Sequence, residues 1–330
     1  MSLPALFKDR LRLPVVAAPM FLTSGPELVI ECCKAGIVGT FPALNQRSSE
    51  GFEGWLIEIK TALAEHAEAT GSEPAPFGVN LIVHKSNPRL QADLALCVKH
   101  QVPLIITSLG AVAELIDTVH GYGGVVFHDV VNARHAAKAA QAGADGLIAV
   151  AAGAGGHAGT TSPFALVNEI RQFFDKTVLL AGALSTGRDI AAAQMMGADL
   201  AYLGTRFINT QESLVVDEYR QMIEQTSSAD IFYTPNISGV YANFLRPSIV
   251  AAGLDPEQLE PKQTIDFGEE LTVDADKDQG DKAQGAWKTV WSAGQGVGSI
   301  TDSPKAAELV DRLEAEYRQA SADYAERMSR

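Results

Sequence analysis

The stretch Gly146-Leu147-Ile148-Ala149-Val150-Ala151 runs directly into Ala152-Gly153-Ala154-Gly155-Gly156-His157-Ala158-Gly159-Thr160-Thr161. The first part is small and apolar throughout, with no polar alternation, which is the pattern of a strand buried on both faces. The second part is a loop in which four glycines surround one histidine. Glycines let the backbone pass close to a bulky flat ligand. The loop then presents an imidazole at the C-terminal end of its strand. A surface histidine on a flexible loop is the plain alternative.

The same kind of unit recurs on both sides. Apolar runs lie at Val15–Met20, Ile37–Phe41, Phe77–Val83, Val102–Leu109, Gly124–Val130, Thr177–Leu184 and Leu200–Phe207. Amphipathic stretches of helical length separate most of them, and Ala133, Ala136, Ala137 and Ala140 mark one helix face. The joints Lys34-Ala35-Gly36-Ile37, Ala142-Gly143-Ala144-Asp145 and Met196-Gly197-Ala198-Asp199 each put a glycine where a helix ends. With Gly146–Ala151 the strand count is eight, that of a closed α/β barrel, the (β/α)8 TIM barrel. An open doubly wound sheet is the alternative that periodicity leaves standing.

After Asn209 the pattern changes. Ser213–Gln225 reads as a helix, Thr234-Pro235-Asn236 and Leu254-Asp255-Pro256 break the chain, Asp274–Asp281 is acidic, and Pro304–Arg327 reads as a long final helix. The chain thus divides into a barrel, 1–208 and 301–330, and a mostly helical lid insertion, 209–300, between strand eight and the final helix. Such an insertion sits at the barrel end where active sites sit.

Composition narrows the function classes. The chain has 330 residues, 46% of them hydrophobic and 20% charged, a globular balance with ample core material. A prior of ~150 residues per domain suggests two domains, whereas α/β barrels run to ~250 residues as one. The net charge of −14 and pI near 4.9 argue against a nucleic-acid surface and against docking on anionic lipid. Three cysteines are too few for a disulfide framework, and Cys32, Cys33 and Cys97 read as packing groups in a reducing compartment. The start is interrupted by Lys8, Asp9 and Arg10 and does not read as a signal peptide, and no run reaches the ~18 apolar residues of a span. A cytoplasmic protein is expected. His66, His84, His100, His120 and His135 show no metal spacing, and no metal is expected. No phosphate-binding P-loop, dinucleotide fingerprint or serine elbow occurs.

Two further loops carry chemistry. Ala181-Gly182-Ala183-Leu184-Ser185-Thr186-Gly187 follows strand seven, and Leu203-Gly204-Thr205-Arg206 follows strand eight. This pair of positions is the usual phosphate cradle of such barrels, built from backbone N–H groups and a helix N-terminus. Ser185 or Thr186 can alternatively serve only as a helix cap. Pro19 belongs at a strand end, where its missing N–H is tolerated. Asn80, a buried amide, either pins a neighbouring loop or binds the polar edge of a flat cofactor. His128, at the end of strand five, is either a satisfied core histidine or part of the site.

The motifs VVAAPM, GVN, AGAGGHAG, AGALSTG and YLGTRF, in that order, resemble those of the nitronate monooxygenase family, formerly 2-nitropropane dioxygenases. YANFLRPSIVAAGL and WSAGQGVGSI resemble a subgroup of it. The resemblance implies an FMN-binding TIM barrel with a lid and oxidation of alkyl nitronates, and of nitroalkanes, by O2 to a carbonyl compound and nitrite. FMN-dependent NAD(P)H:quinone and enoyl reductases share the fold and form the alternative. Carried over by position, His157 is the catalytic histidine. The cofactor contacts are Ala18, Pro19, Met20, Asn80, His128, Ala151, Gly182, Ala183, Gly204 and Thr205. Many relatives have Gln and Glu where this chain has Val150 and Gly153. A nitroalkane must lose its α-proton, and a histidine titrating near neutrality suits that task. The implied partners are the small-molecule substrate and O2, with a homo-oligomer allowed and no nucleic acid or membrane.

Overall fold

The structure is a computed structural model and describes residues 3–110, 113–261 and 289–330. The barrel strands are β1 (Val15–Ala17), β2 (Val38–Pro42), β3 (Gly78–Ile82), β4 (Leu104–Ser108), β5 (Val125–Val130), β6 (Gly146–Val150), β8 (Thr177–Ala181) and β9 (Leu200–Leu203). They pair in parallel in that order, and β1 closes on β9 with Val16 opposite Tyr202. The closed barrel removes the open-sheet alternative. A two-residue strand, β7 (Gly156–His157), lies outside it.

Each barrel strand reads apolar on both faces because each has two buried faces. Val16, Val38, Leu104, Ile106, Phe127, Ile148, Leu179 and Leu200 fill the barrel interior, where Phe7 packs on Phe127 with ring centroids 5.6 Å apart. Gly146 makes room for this layer, since a Cβ there would lie 2.5 Å from the Phe127 ring. The outer faces meet the helices α1 (Pro26–Lys34), α2 (Ser49–Thr70), α3 (Leu90–Lys99), α4 (Ala113–His120), α5 (Ala133–Gln141), α6 (Pro163–Arg171) and α7 (Gly187–Met195). Gly36, Gly143 and Gly197 take φ of 88°, 101° and 103°, so the glycine joints are left-handed helix exits as their sequence implied. On α5 the fully buried residues are Ala136 and Ala139, so the helix is turned slightly from the alanine face read in the sequence. Cys32, Cys33 and Cys97 are free and buried, and burial pushes all three thiols up.

Between β9 and the final helix, α11 (Ala306–Met328), lie α8 (Thr205–Ile208), α9 (Asp217–Gln225), β10 (Ile231–Thr234), β11 (Ala242–Leu245) and α10 (Arg246–Ala251). Helix α9 starts four residues later than the sequence reading, because Ser213 turns its hydroxyl back to the carbonyls of Ile208 and Thr210. The insertion also holds a feature that its helical reading did not include. Strands β10 and β11 form a hairpin, and β7 joins its edge to make a three-stranded antiparallel sheet. Two small cores support the insertion, one around Tyr219, Ile223, Leu245 and Val297, the other around Phe244, Ile249 and Val290. The acidic stretch Asp274–Asp281 lies outside the described residues. No helix among the described residues is long and apolar enough to cross a membrane.

Candidate active site

A cavity of about 1220 Å³ opens where the barrel strands end. Ala18, Pro19, Met20, Asn80, His128, His157, Gly182, Ala183, Gly204 and Thr205 all line it. Ala151 is not among the lining residues. It is fully buried in the cluster between β6, β8 and the outer helices, and its N–H donates to the carbonyl of Ala181 at 2.9 Å.

The histidine loop is held from the insertion. His157 stands in register with Ala242, and Gly156 with Asn243. The Gly156 N–H donates to Ser292 Oγ at 2.6 Å, and that hydroxyl donates to the Asn243 carbonyl at 2.5 Å. Asn243 Nδ2 donates to the Ala154 carbonyl at 2.6 Å, and the Gln295 N–H to the Gly153 carbonyl at 2.8 Å. Tyr219 donates to the Ser292 carbonyl and stacks on Trp291, centroids 4.8 Å apart, so the anchor is itself anchored. Gly155 has to be glycine, since a Cβ would lie 2.8 Å from the Gly294 nitrogen. Burial pushes the His157 imidazole down to about 4, well below the near-neutral value its residue type suggests.

Next to it stand the two glycine loops. Gly182 has φ of 141°, and a Cβ there would lie 2.9 Å from the Ala152 carbonyl oxygen. Ala183 is itself left-handed, at φ of 57°. The N-terminus of α7 is closed by its own cap residues and by Glu316 of α11. Thr186 and Asp189 form a capping box, Ser185 N–H donates to Asp189, and Gly187 N–H donates to Glu316 at 2.7 Å. The helix-terminus part of the expected cradle is therefore replaced by a cap. The backbone part stands: the N–H groups of Gly182, Ala183, Gly204 and Thr205 have no hydrogen-bond partner among the described residues. Thr205 Oγ1 accepts from Gly294 N–H at 2.9 Å, which leaves its own O–H to donate. Partnerless N–H groups on residues that line one cavity at adjacent strand ends fit a phosphate.

A polar row crosses β3, β4 and β5. Asn80 Nδ2 donates to the Ile106 carbonyl and, at 2.8 Å, to Ser108 Oγ. Ser108 donates to Asp129 Oδ2 at 2.5 Å. Asn80 thus pins a neighbour and still keeps its carbonyl oxygen. His128 Nδ1 shares a 2.7 Å hydrogen bond with Thr107 Oγ1, and burial pushes its imidazole down to about 4. Asp129 is a site residue that the sequence reading missed. Its signal was an acid next to His128 in an otherwise apolar strand. Burial pushes it up to about 6.

The family model for nitronate monooxygenase matches residues 6–316. The chain belongs to the nitronate monooxygenase family. A nitronate monooxygenase of Paraburkholderia phytofirmans is 28% identical, with 96% of this chain and 95% of that one covered. A 5-hydroxy-7a-methyl-1-oxo-octahydro-1H-indene-4-carboxyl-CoA dehydrogenase of Rhodococcus jostii is 30% identical over 72% of this chain, and the match spans 64% of that relative. Among solved structures, FabK from Thermotoga maritima is 25% identical with a TM-score of 0.79, covering 97% of this chain and 96% of that one. A nitroalkane oxidase from Streptomyces ansochromogenes has a TM-score of 0.80 at 24% identity and shares the fold, covering 97% of this chain and all of that one. As a nitronate monooxygenase family member the chain is an oxidoreductase with a flavin as its expected cofactor. The five barrel motifs that carry the resemblance all reach this one cavity.

Proposed function

We propose that the chain uses FMN and O2 to oxidise alkyl nitronates, and nitroalkanes after loss of their α-proton, to a carbonyl compound and nitrite. The observation that carries this reading is His157, a half-buried imidazole that desolvation keeps neutral, held at the cavity that the partnerless N–H groups of Gly182, Ala183, Gly204 and Thr205 also border. In this reading those four groups hold the FMN phosphate. Asn80 and the ends of β1 and β5 would meet the ring, and the described residues of the insertion, 209–261 and 289–300, would close the substrate side. FMN, when bound there, would supply the redox chemistry that carries electrons from the substrate to O2. His157 takes the α-proton of a neutral nitroalkane on its unprotonated nitrogen. With a preformed nitronate there is no proton to take, and the ring N–H donates a hydrogen bond to the nitronate oxygen.

FMN is favoured over FAD because the sequence carries no second nucleotide motif. Release of the cofactor by denaturation, followed by chromatography against FMN and FAD, tests this. A colourless protein that takes up neither flavin overturns the cofactor assignment.

The second reading is an FMN-dependent NAD(P)H:quinone or enoyl reductase, favoured by the likeness to FabK over nearly the whole chain. Anaerobic mixing separates the two. Bleaching of the flavin by a short alkyl nitronate and not by NADH or NADPH supports the monooxygenase, and the reverse pattern supports the reductase.

A further inference from the structure

Asp129 is the one carboxyl group among the described residues that line the cavity. Its Oδ2 accepts from Ser108, whose hydroxyl in turn accepts from Asn80. Its Oδ1 is enclosed and has no hydrogen-bond partner, and Asp129 forms no ion pair among the described residues. A half-buried carboxyl group with one enclosed oxygen unanswered is costly, the more so when charged. Such groups call for an explanation in ligand or proton. Burial lifts the acid to about 6, so it holds its proton through part of the range where an enzyme works.

Its place in the barrel says what it meets. The unpaired phosphate donors stand at the ends of β8 and β9. Asn80, Ser108 and Asp129 stand on β3, β4 and β5, separated from them around the barrel by β6 on one side and by β1 and β2 on the other. A flavin whose phosphate sat on the first wall would bring its ring toward the second.

Resting on the flavin reading above, we propose that Asp129 contacts the polar edge of the flavin ring, as a neutral acid that donates a hydrogen bond and, once ionised, as a charge that opposes the negative charge the ring gains on reduction. Ser108 and Asn80 are positioning residues for it. The other titratable groups lining the cavity are His128 on β5, His157 on β7, Tyr202 on β9, His135 and Lys138 on α5, Tyr219 on α9, Tyr233 on β10, and Tyr241 beside β11. Burial keeps His128 and His157 neutral above about pH 5 and lifts the Tyr202 and Tyr219 phenols. The Tyr233 phenol is lifted by burial as well.

The test is the midpoint potential of the bound flavin, measured against reference dyes from pH 5 to 8. The wild type should show an extra downward break as Asp129 ionises. Asp129→Asn should lack the break and sit at a higher potential at pH 8. Ser108→Ala removes a donor that favours the carboxylate, so its break should move up by about one pH unit. His135→Gln, at the exposed rim, should keep the break. Coincident curves for wild type and Asp129→Asn overturn the proposal. So does a break unmoved in Ser108→Ala, or one lost in His135→Gln. Absence of any flavin spectrum overturns the underlying flavin reading instead, so the two failures are told apart.

Discussion

His128 and His157 line the same cavity, and burial pushes both imidazoles down to about 4, yet different parts of the molecule hold them. His128 belongs to β5 and is tied to Thr107 on β4, so the barrel alone fixes it. His157 sits on a two-residue strand whose partner, β11, belongs to the insertion, and its loop is fastened by Ser292 and Asn243. Under the proposed function the barrel would build the wall that meets the cofactor, while the insertion would set the group that meets the substrate. Changes in the insertion can alter chemistry and leave cofactor binding alone.

The largest test of this division exchanges the two histidines for amides. His157→Asn should keep its flavin and lose about 10²–10⁴-fold in turnover of a neutral nitroalkane, with a much smaller loss on the preformed nitronate. His128→Asn should lose far less on both. Equal losses on both substrate forms in His157→Asn would mean that the imidazole orients the nitronate rather than removing a proton. Steady-state rates on the two substrate forms decide.

The barrel half of the division is broken at Gly204. A Cβ there meets only Ala18 and Met20, at 3.8 and 3.9 Å, so Gly204→Asp should fold. Its carboxylate beside the phosphate donors should weaken flavin binding by about 100-fold, read from the recovery of flavin fluorescence. Unchanged flavin occupancy in the folded variant would remove these loops from the cofactor site.

A smaller effect sharpens the insertion half. Ser292→Ala removes the acceptor of the Gly156 N–H, a loss of about 1–3 kcal/mol in loop anchoring. Turnover should fall about tenfold while the flavin dissociation constant holds. A matching loss of flavin affinity would show that the insertion and the cofactor wall are not separable.

The pH profile gives the smallest effect. Only the neutral imidazole accepts a proton, so turnover of the neutral substrate should rise with pH through about 4 and level off below the ordinary histidine value of 6.5. Stability of the flavin-free protein follows the same groups. Between 6.5 and 4 the unfolded histidines bind more protons than the folded ones, so this contribution is present above 6.5 and is lost as the solution is acidified. Asp129, raised from 3.8 to about 6, acts with the opposite sign. In His157→Asn the acid-side loss should shrink, as read from urea midpoints across pH.

Much of this was legible in the chain. The eight runs of Val, Ile and Leu announced strands with two buried faces, and each fell on a barrel strand. The glycine joints announced helix exits, because few other residues reach those φ values cheaply. Pairing between remote segments was not legible. Strand β7 is two residues long and takes its form from β11, far along the chain, so no local period marks it. The sequence leaves the cap on α7 as an alternative, since Ser185 or Thr186 reads equally as a helix cap or as the margin of a phosphate site, and the part of Asp189 in the box emerges only in the structure. Asp129 went unnoticed because its meaning lies in Ser108 and Asn80, which stand on other strands.

Closure of the barrel through β1 and β9 bears on how the protein is made. Strand β1 leaves the ribosome well before β9, one of its two partners in the barrel. At synthesis rates of about 5–20 residues per second, β1 waits roughly ten to forty seconds with one edge uncovered. Through that interval the nascent chain presents a wholly apolar strand with one unpaired edge, and parallel pairing over such a separation is slow. Yield in a cell should therefore depend on chaperone capacity and on translation speed before residue 200 more than on the stability of the finished barrel.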